Sequence, residues 1–229
     1  MRYETILLDA DMTLWDFEAS ERCALRDVTE SLGFELTPER EQHYSKVNAD
    51  LWHRFDLKEI TREDIGHNRF ADYLEFLGAQ GDPVAMNAMY ARQLGEYSIM
   101  LPGALELCRR LAEHCTLYIV TNGMHDAQTG RFEKCTMKPY IREMFISADM
   151  GCQKPEKEFF DKVLAAIGPV DRRKTVIVGD SLTSDMQGGL NAQLDTIWYN
   201  PHHKPADPKI PVTWEAHSME AIGDIILSD

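Results

Sequence analysis

Short runs of continuously apolar residues alternate along this chain with longer stretches of helical spacing. Ile6-Leu7-Leu8, Thr116 to Val120, Thr175 to Val178 and Thr196 to Tyr199 read as buried strands, and Phe145 to Ala148 as a shorter one. Helices fall between them. Ala104, Leu105, Leu107, Cys108, Leu111 and Ala112 form a clean amphipathic stripe after Pro102-Gly103. Further helices are expected over about Ala127 to Cys135, from Pro155 through Ile167, and over about Met219 to Leu227, with Thr183 or Ser184 capping one after the Thr175 run. Strands apolar on both faces, alternating with helices, predict an α/β fold: a parallel sheet covered by helices on both faces.

Residues 17–98 break this alternation. Ala24, Leu25, Val28 and Leu32 recur at helical spacing, and Thr37-Pro38 reads as a cap followed by proline in the first turn. The helix it opens carries Tyr44, Val47, Asn48, Leu51, Trp52 and Phe55. Thr61 to Asp64 reads as a capping box ahead of Ile65, Phe70, Tyr73, Leu74 and Leu77. Gly78 to Pro83 interrupts, and Met86, Met89, Tyr90, Leu94 and Tyr97 make another helix. A helical insertion at 17–98 is therefore expected within a core made of 1–16 and 99–229.

Composition narrows the function. The chain has 229 residues, 44% of them hydrophobic, enough for a packed core. No apolar run approaches the ~18 residues that span a bilayer, and no basic leader precedes the first strand, so a soluble cytoplasmic protein without membrane contact is expected. A net charge of −14 argues against a nucleic acid polymer as partner. Cys23, Cys108, Cys115, Cys135 and Cys152 are odd in number and lack a C-x-x-C pair, which suits buried thiols in a reducing compartment.

The polar residues that directly follow the strands carry the chemistry. In an α/β sheet, ligands bind outside the carboxyl ends of the strands. Asp9 and Asp11, spaced i, i+2 in extended chain, would share one pocket with Thr121, Asn122, Lys154, Asp180, Ser181 and Asp185. Four carboxylates in one pocket do not all stay ionised without compensation. A hard divalent cation, Mg²⁺ beside phosphate, together with Lys154, answers that charge and admits an anionic small molecule.

These residues stand in four motifs, in order: Asp9-Ala10-Asp11-Met12-Thr13, Thr121-Asn122-Gly123, Lys154-Pro155, and Gly179 to Asp185 with aspartates at 180 and 185. The set resembles the haloacid dehalogenase (HAD) superfamily of phosphohydrolases, with its Rossmann-like core and an inserted helical cap of the C1 type. The resemblance implies Asp9 as nucleophile and Asp11 as general acid and base. It implies Mg²⁺ held by Asp9, the Asp11 carbonyl, Asp180 and Asp185, and phosphate bound by Thr121, Asn122 and Lys154. The haloacid-cleaving members lack the second aspartate, so Asp11 points to phosphoryl transfer.

Val47 to Trp52, Thr61 to Phe70, Asn200 to His203 and the tail around Val212-Thr213-Trp214 are similar to the bacterial YjjG-type pyrimidine 5′-nucleotidases. That implies a (deoxy)pyrimidine nucleoside monophosphate as substrate, with Asn48, Trp52 and Arg69 as candidate contacts to base and sugar. Trp52, at helical spacing with Val47, Leu51 and Phe55, reads more readily as core. His202-His203 reads better as a phosphate or nucleoside contact than as a metal pair. A sugar or sialic-acid phosphatase is the rival reading, a phosphomutase another, and a non-catalytic binding domain would require decay at Asp9, Asp11, Lys154 or Asp180.

Overall fold

The computed structural model describes residues 2–228, and of Asp56 the backbone alone. Strand β1 (Thr5–Leu8) is followed by helices α1 (Phe17–Ser31), α2 (Pro38–Asp56), α3 (Arg62–Leu77) and α4 (Pro83–Glu96). The alternating part then runs α5 (Ala104–Ala112), β2 (Thr116–Thr121), α6 (His125–Lys134), β3 (Ile141–Ile146), α7 (Ser147–Met150), α8 (Lys157–Ile167), β4 (Thr175–Gly179), α9 (Gln187–Ala192), β5 (Asp195–Tyr199), β6 (Trp214–Ala216) and α10 (Met219–Leu227).

The strands form one sheet in the order β3-β2-β1-β4-β5-β6, and every pairing is parallel. Ile6 and Leu8 of β1 face a core built with Leu107, Leu111, Ile222 and Ile226 of α5 and α10. Leu7 points the other way, onto Phe159, Phe160 and Val163 of α8. This is why β1 shows no polar alternation: both of its faces are buried. The chain leaves β1 on one side for β2 and on the other for β4. The carboxyl ends of these central strands therefore flank a topological switch point, where such sheets bind ligands.

The helices of 17–96 have their own core of Ala24, Leu25, Val28, Tyr44, Phe70, Tyr73, Tyr90 and Leu94, which also takes in Ala127 of α6. Helix α4 meets α6 closely. A Cβ on Gly130 would lie 2.8 Å from the Gly95 Cα, so both positions need glycine for the backbones to approach. The local caps form as the sequence predicts. Thr37 accepts from the Arg40 N–H ahead of Pro38, and Thr61 and Asp64 make a reciprocal capping box.

Four boundaries differ from the sequence pattern. The strand expected at Phe145 to Ala148 is β3, Ile141–Ile146, and Ser147–Met150 turns helical. As an edge strand β3 exposes Arg142 and Glu143, so no continuous apolar run marks it. The helix expected from Pro155 starts at Lys157. The turn after β4 is capped by Ser181, which accepts from the Ser184 N–H, rather than by Thr183 or Ser184. Strand β6 has three residues, too few for a period to show.

Candidate active site

The polar residues after β1, β2, β3 and β4 converge at the mouth of a cavity of about 910 Å³, roofed by α1, α2 and α3. Asp9 is the first residue beyond β1 and 7% exposed. Its N–H donates to the Val178 carbonyl at 2.8 Å, and the Thr13 hydroxyl donates to its Oδ2 at 3.1 Å. Lys154 reaches in from the loop after α7. Its ammonium donates to Asp9 Oδ1 at 2.5 Å, Asp185 Oδ1 at 2.6 Å and the Val120 carbonyl at 3.0 Å. Asp185 sits on the turn after β4, its Oδ2 accepting from the Ser181 N–H at 3.2 Å. A Cβ on Gly179 would lie 2.2 Å from that Oδ2, so the close approach of Asp185 to the strand end requires glycine.

Asp9, Asp180 and Asp185 each present a carboxylate oxygen within 4.8 Å of the others. The Lys154 ammonium contacts two of these three carboxylates, and the charge of Lys204 acts on the third, Asp180. Burial, then Asp185, hold the Asp9 carboxyl well above its ordinary range in spite of Lys154. The same two causes push Asp180 up to about 7. Burial opposes the Lys154 charge, but Asp185 and Asp9 outweigh it and hold its ammonium above the ordinary lysine range. The cluster thus carries more negative charge than the protein itself offsets, and its all-oxygen donor set fits a hard divalent cation.

Asp11 faces the same cavity with different partners. The chain turns sharply at Met12 (φ 60°), so the i, i+2 geometry comes from a loop end rather than from a continuing strand. Gln128 of α6 donates to Asp11 Oδ2 at 2.7 Å, and Arg131 Nη1 lies 2.7 Å from Oδ1. Thr121 is buried at the end of β2, its hydroxyl accepting from the Gly123 N–H at 3.0 Å. Asn122, expected on the phosphate, spends its amide on the Lys154 backbone: Nδ2 donates to the Lys154 carbonyl at 2.9 Å and Oδ1 accepts its N–H at 3.0 Å. It fixes the lysine that reaches the carboxylates.

The roof holds a buried polar network. Glu21 of α1 accepts from Asn48 Nδ2 at 2.7 Å and from Ser45 at 2.9 Å. Asn48 Oδ1 in turn accepts from Arg69 at 3.1 Å. Arg69 also donates to Asn87 and lies over the Tyr90 ring at 4.6 Å. Its guanidinium is therefore engaged within the roof, where Arg69 lines the cavity beside Asn48. Trp52 is half-buried. It packs with Leu51, Phe55 and Ile65 and also lines the cavity. Arg62 of α3 crosses to the β2 turn, donating to the Asn122 carbonyl at 2.6 Å and to the Ser147 hydroxyl at 2.9 Å. His202 and His203 are exposed and do not line the cavity; the His203 ring lies 4.1 Å from that of His217, tilted by 39°.

The family model for haloacid dehalogenase-like hydrolases matches residues 3–193. The chain belongs to that family. YfnB of Bacillus subtilis is 37% identical over 225 residues, 98% of this chain and 96% of that one. A crystal structure of YfnB bound to magnesium superposes with a TM-score of 0.94 over the whole of both chains. The pyrimidine 5′-nucleotidases PynA of Streptococcus pneumoniae and YjjG of Escherichia coli are 35% and 32% identical, each covering 99% of this chain and 96% and 99% of theirs.

Glu21, Gln128 and Arg131 escaped the sequence reading. Glu21 sits at helical spacing with Ala24, Leu25 and Val28, a charged residue on the buried stripe, and that signal was available. Gln128 and Arg131 share a helix face just past the Thr121-Asn122-Gly123 turn. Only their partner, 117 residues from Gln128, shows why. Among the described residues, no helix is long and apolar enough to cross a membrane.

Proposed function

We propose that this chain is a Mg²⁺-dependent phosphomonoesterase of the 5′-nucleotidase type, acting on (deoxy)pyrimidine nucleoside monophosphates. The observation that carries the reading is the division of labour between the two aspartates of one cavity. Asp9 lies against Lys154 in the acidic cluster, and Asp11 lies apart from that cluster against Gln128 and Arg131. One carboxylate is placed to attack and the other to carry a proton.

The steps follow from that placement. An Asp9 oxygen forms a bond to phosphorus as the phosphorus–ester oxygen bond breaks, and Asp11 gives its proton to the departing alcohol. Water then attacks the aspartyl-phosphate, losing a proton to Asp11, and phosphate leaves with the Asp9 carboxylate restored. Lys154 neutralises charge on Asp9 and the phosphoryl oxygens, Thr121 and neighbouring backbone N–H groups orient those oxygens, and Asn122 keeps Lys154 in place. Mg²⁺ would be held by Asp9, Asp180, Asp185 and the Asp11 carbonyl. When bound it supplies positive charge to the phosphoryl oxygens and the nucleophile.

Residues 1–16 and 99–229 serve in this reading as the catalytic core, and 17–98 as a cap that chooses the leaving group. The cap side of the cavity presents Glu21, Ser45, Asn48 and Trp52, hydrogen-bonding groups beside an indole, which suits a nucleobase. The relatives PynA and YjjG, named pyrimidine 5′-nucleotidases, support the same choice. A screen of phosphate release over nucleotide, sugar and amino-acid phosphates tests it. Dominance of dUMP, dTMP or UMP is expected. Dominance of a sugar phosphate would keep the phosphatase and overturn the nucleotidase.

A further inference from the structure

The Asp11 loop has little of its own to aim the side chain. It leaves β1, reverses at a left-handed Met12 and closes through Met12 N–H to the Trp15 carbonyl at 2.9 Å. The aim comes from α6. Gln128 and Arg131 stand i, i+3 on one face of that helix, and neither side chain is exposed. They take one oxygen each. Gln128 Nε2 donates to Oδ2 at 2.7 Å. Arg131 Nη1 meets Oδ1 at 2.7 Å in an ionic contact that lacks hydrogen-bond alignment. Oδ1 is shut off from solvent, so Oδ2 is the oxygen left to the cavity.

Both holders are themselves fixed. The Arg131 guanidinium lies 4.9 Å over the Trp15 ring, whose indole N–H donates to Ser98 at 3.1 Å. Gln128 lies directly on the β2 turn: a Cβ on Gly123 would come within 1.9 Å of its Nε2. The turn that carries Thr121 and the group that carries the proton are thus set by the same amide.

We infer that Gln128 and Arg131 are positioning residues for Asp11, a two-point clamp that turns its Oδ2 toward the leaving oxygen. The clamp rests on the phosphomonoesterase reading, with Asp11 as proton carrier. Its signature is a dependence on the leaving group. A nucleoside alkoxide leaves poorly without a proton, whereas p-nitrophenolate leaves unaided. A misaimed Asp11 therefore slows the first far more than the second.

The experiment compares kcat/KM, which reports events up to leaving-group departure, for UMP and p-nitrophenyl phosphate with Mg²⁺. Arg131→Met and Gln128→Leu are each expected to lose about 10²-fold on UMP, the scale of a general acid, and only a few-fold on the aryl phosphate. Arg131→Lys should recover part of the UMP loss. Gln128→Leu leaves the Arg131 contact untouched and serves if Arg131→Met does not fold. Equal losses on both substrates, or none on either, overturn the clamp while the phosphatase stands. A wild type inactive on both substrates overturns the phosphatase reading and the clamp with it.

Discussion

Lys154→Met removes the ammonium that contacts Asp9 and Asp185, and its effect on stability can be worked from the structure. The Lys154 side chain is 2% exposed and contacts Asp9 at 2.5 Å and Asp185 at 2.6 Å. Deleting one partner of a buried ion pair costs about 3–5 kcal/mol, because the remaining charge is left uncompensated. Against a typical global stability of about 5–15 kcal/mol that is a large loss. For a chain of this size it corresponds to a fall in Tm of about 6–20 °C. The loss also depends on pH. Asp9 is held well above its ordinary range, and Asp180 is raised from 3.8 to about 7. A carboxyl whose folded pKa exceeds its unfolded value binds extra protons in the folded state. The metal-free protein therefore loses stability as pH rises through that window, by up to ~1.4 kcal/mol per pH unit for each such group. Without Lys154, Asp9 and Asp180 hold their protons more tightly still. The gap between wild type and Lys154→Met should accordingly be smaller at pH 5 than at pH 8. Urea melts in EDTA at the two pH values measure it, with m-values checked for constancy. A gap below about 1 kcal/mol at pH 8, the worth of an exposed pair, would refute the reasoning, as would a gap that does not widen with pH.

Three further outcomes are expected. Mg²⁺ at about 100 times its Kd should stabilise the wild type by about 2.7 kcal/mol in a thermal melt, with EDTA reversing the shift and Asp180→Asn abolishing it. Asn48→Ala leaves Glu21 and Arg69 short of a partner. It should cost about 1–3 kcal/mol in urea melts and raise KM for nucleotides while sparing an aryl phosphate; equal kinetic losses on both would remove Asn48 from recognition. Gly130→Ala forces a methyl against the Gly95 backbone, which has no flexible side chain to yield, and should cost about 1–3 kcal/mol; an unchanged Tm would show that α4 and α6 part without penalty.

What could be read from the sequence was local. β1, β2, β4 and β5 are apolar on both faces because they are central, so their runs mark them; β3 and β6 lie at the edges and carry no such mark. Thr37 and Thr61 were legible because a cap is made within four residues. Asp9, Asp11, Lys154 and Asp180 were legible because a charge directly after a buried strand, or a short loop beyond one, has few structural reasons to be there. The partners of these residues were not. A glutamine and an arginine on α6 look like a solvated face until Asp11 is placed against them, and nothing near Arg69 in the sequence announces its contacts with Asn87 and Tyr90 in the cavity roof.

Acid-quenched single turnover of a nucleoside monophosphate with Mg²⁺, followed by peptide mass analysis, tests the central claim most directly. Wild type should release phosphate and show a transient phosphoryl group on the peptide containing Asp9, and Asp9→Asn, folded to the same melt, should do neither. Phosphate release by Asp9→Asn at a rate comparable to wild type would contradict the assignment of Asp9 as nucleophile.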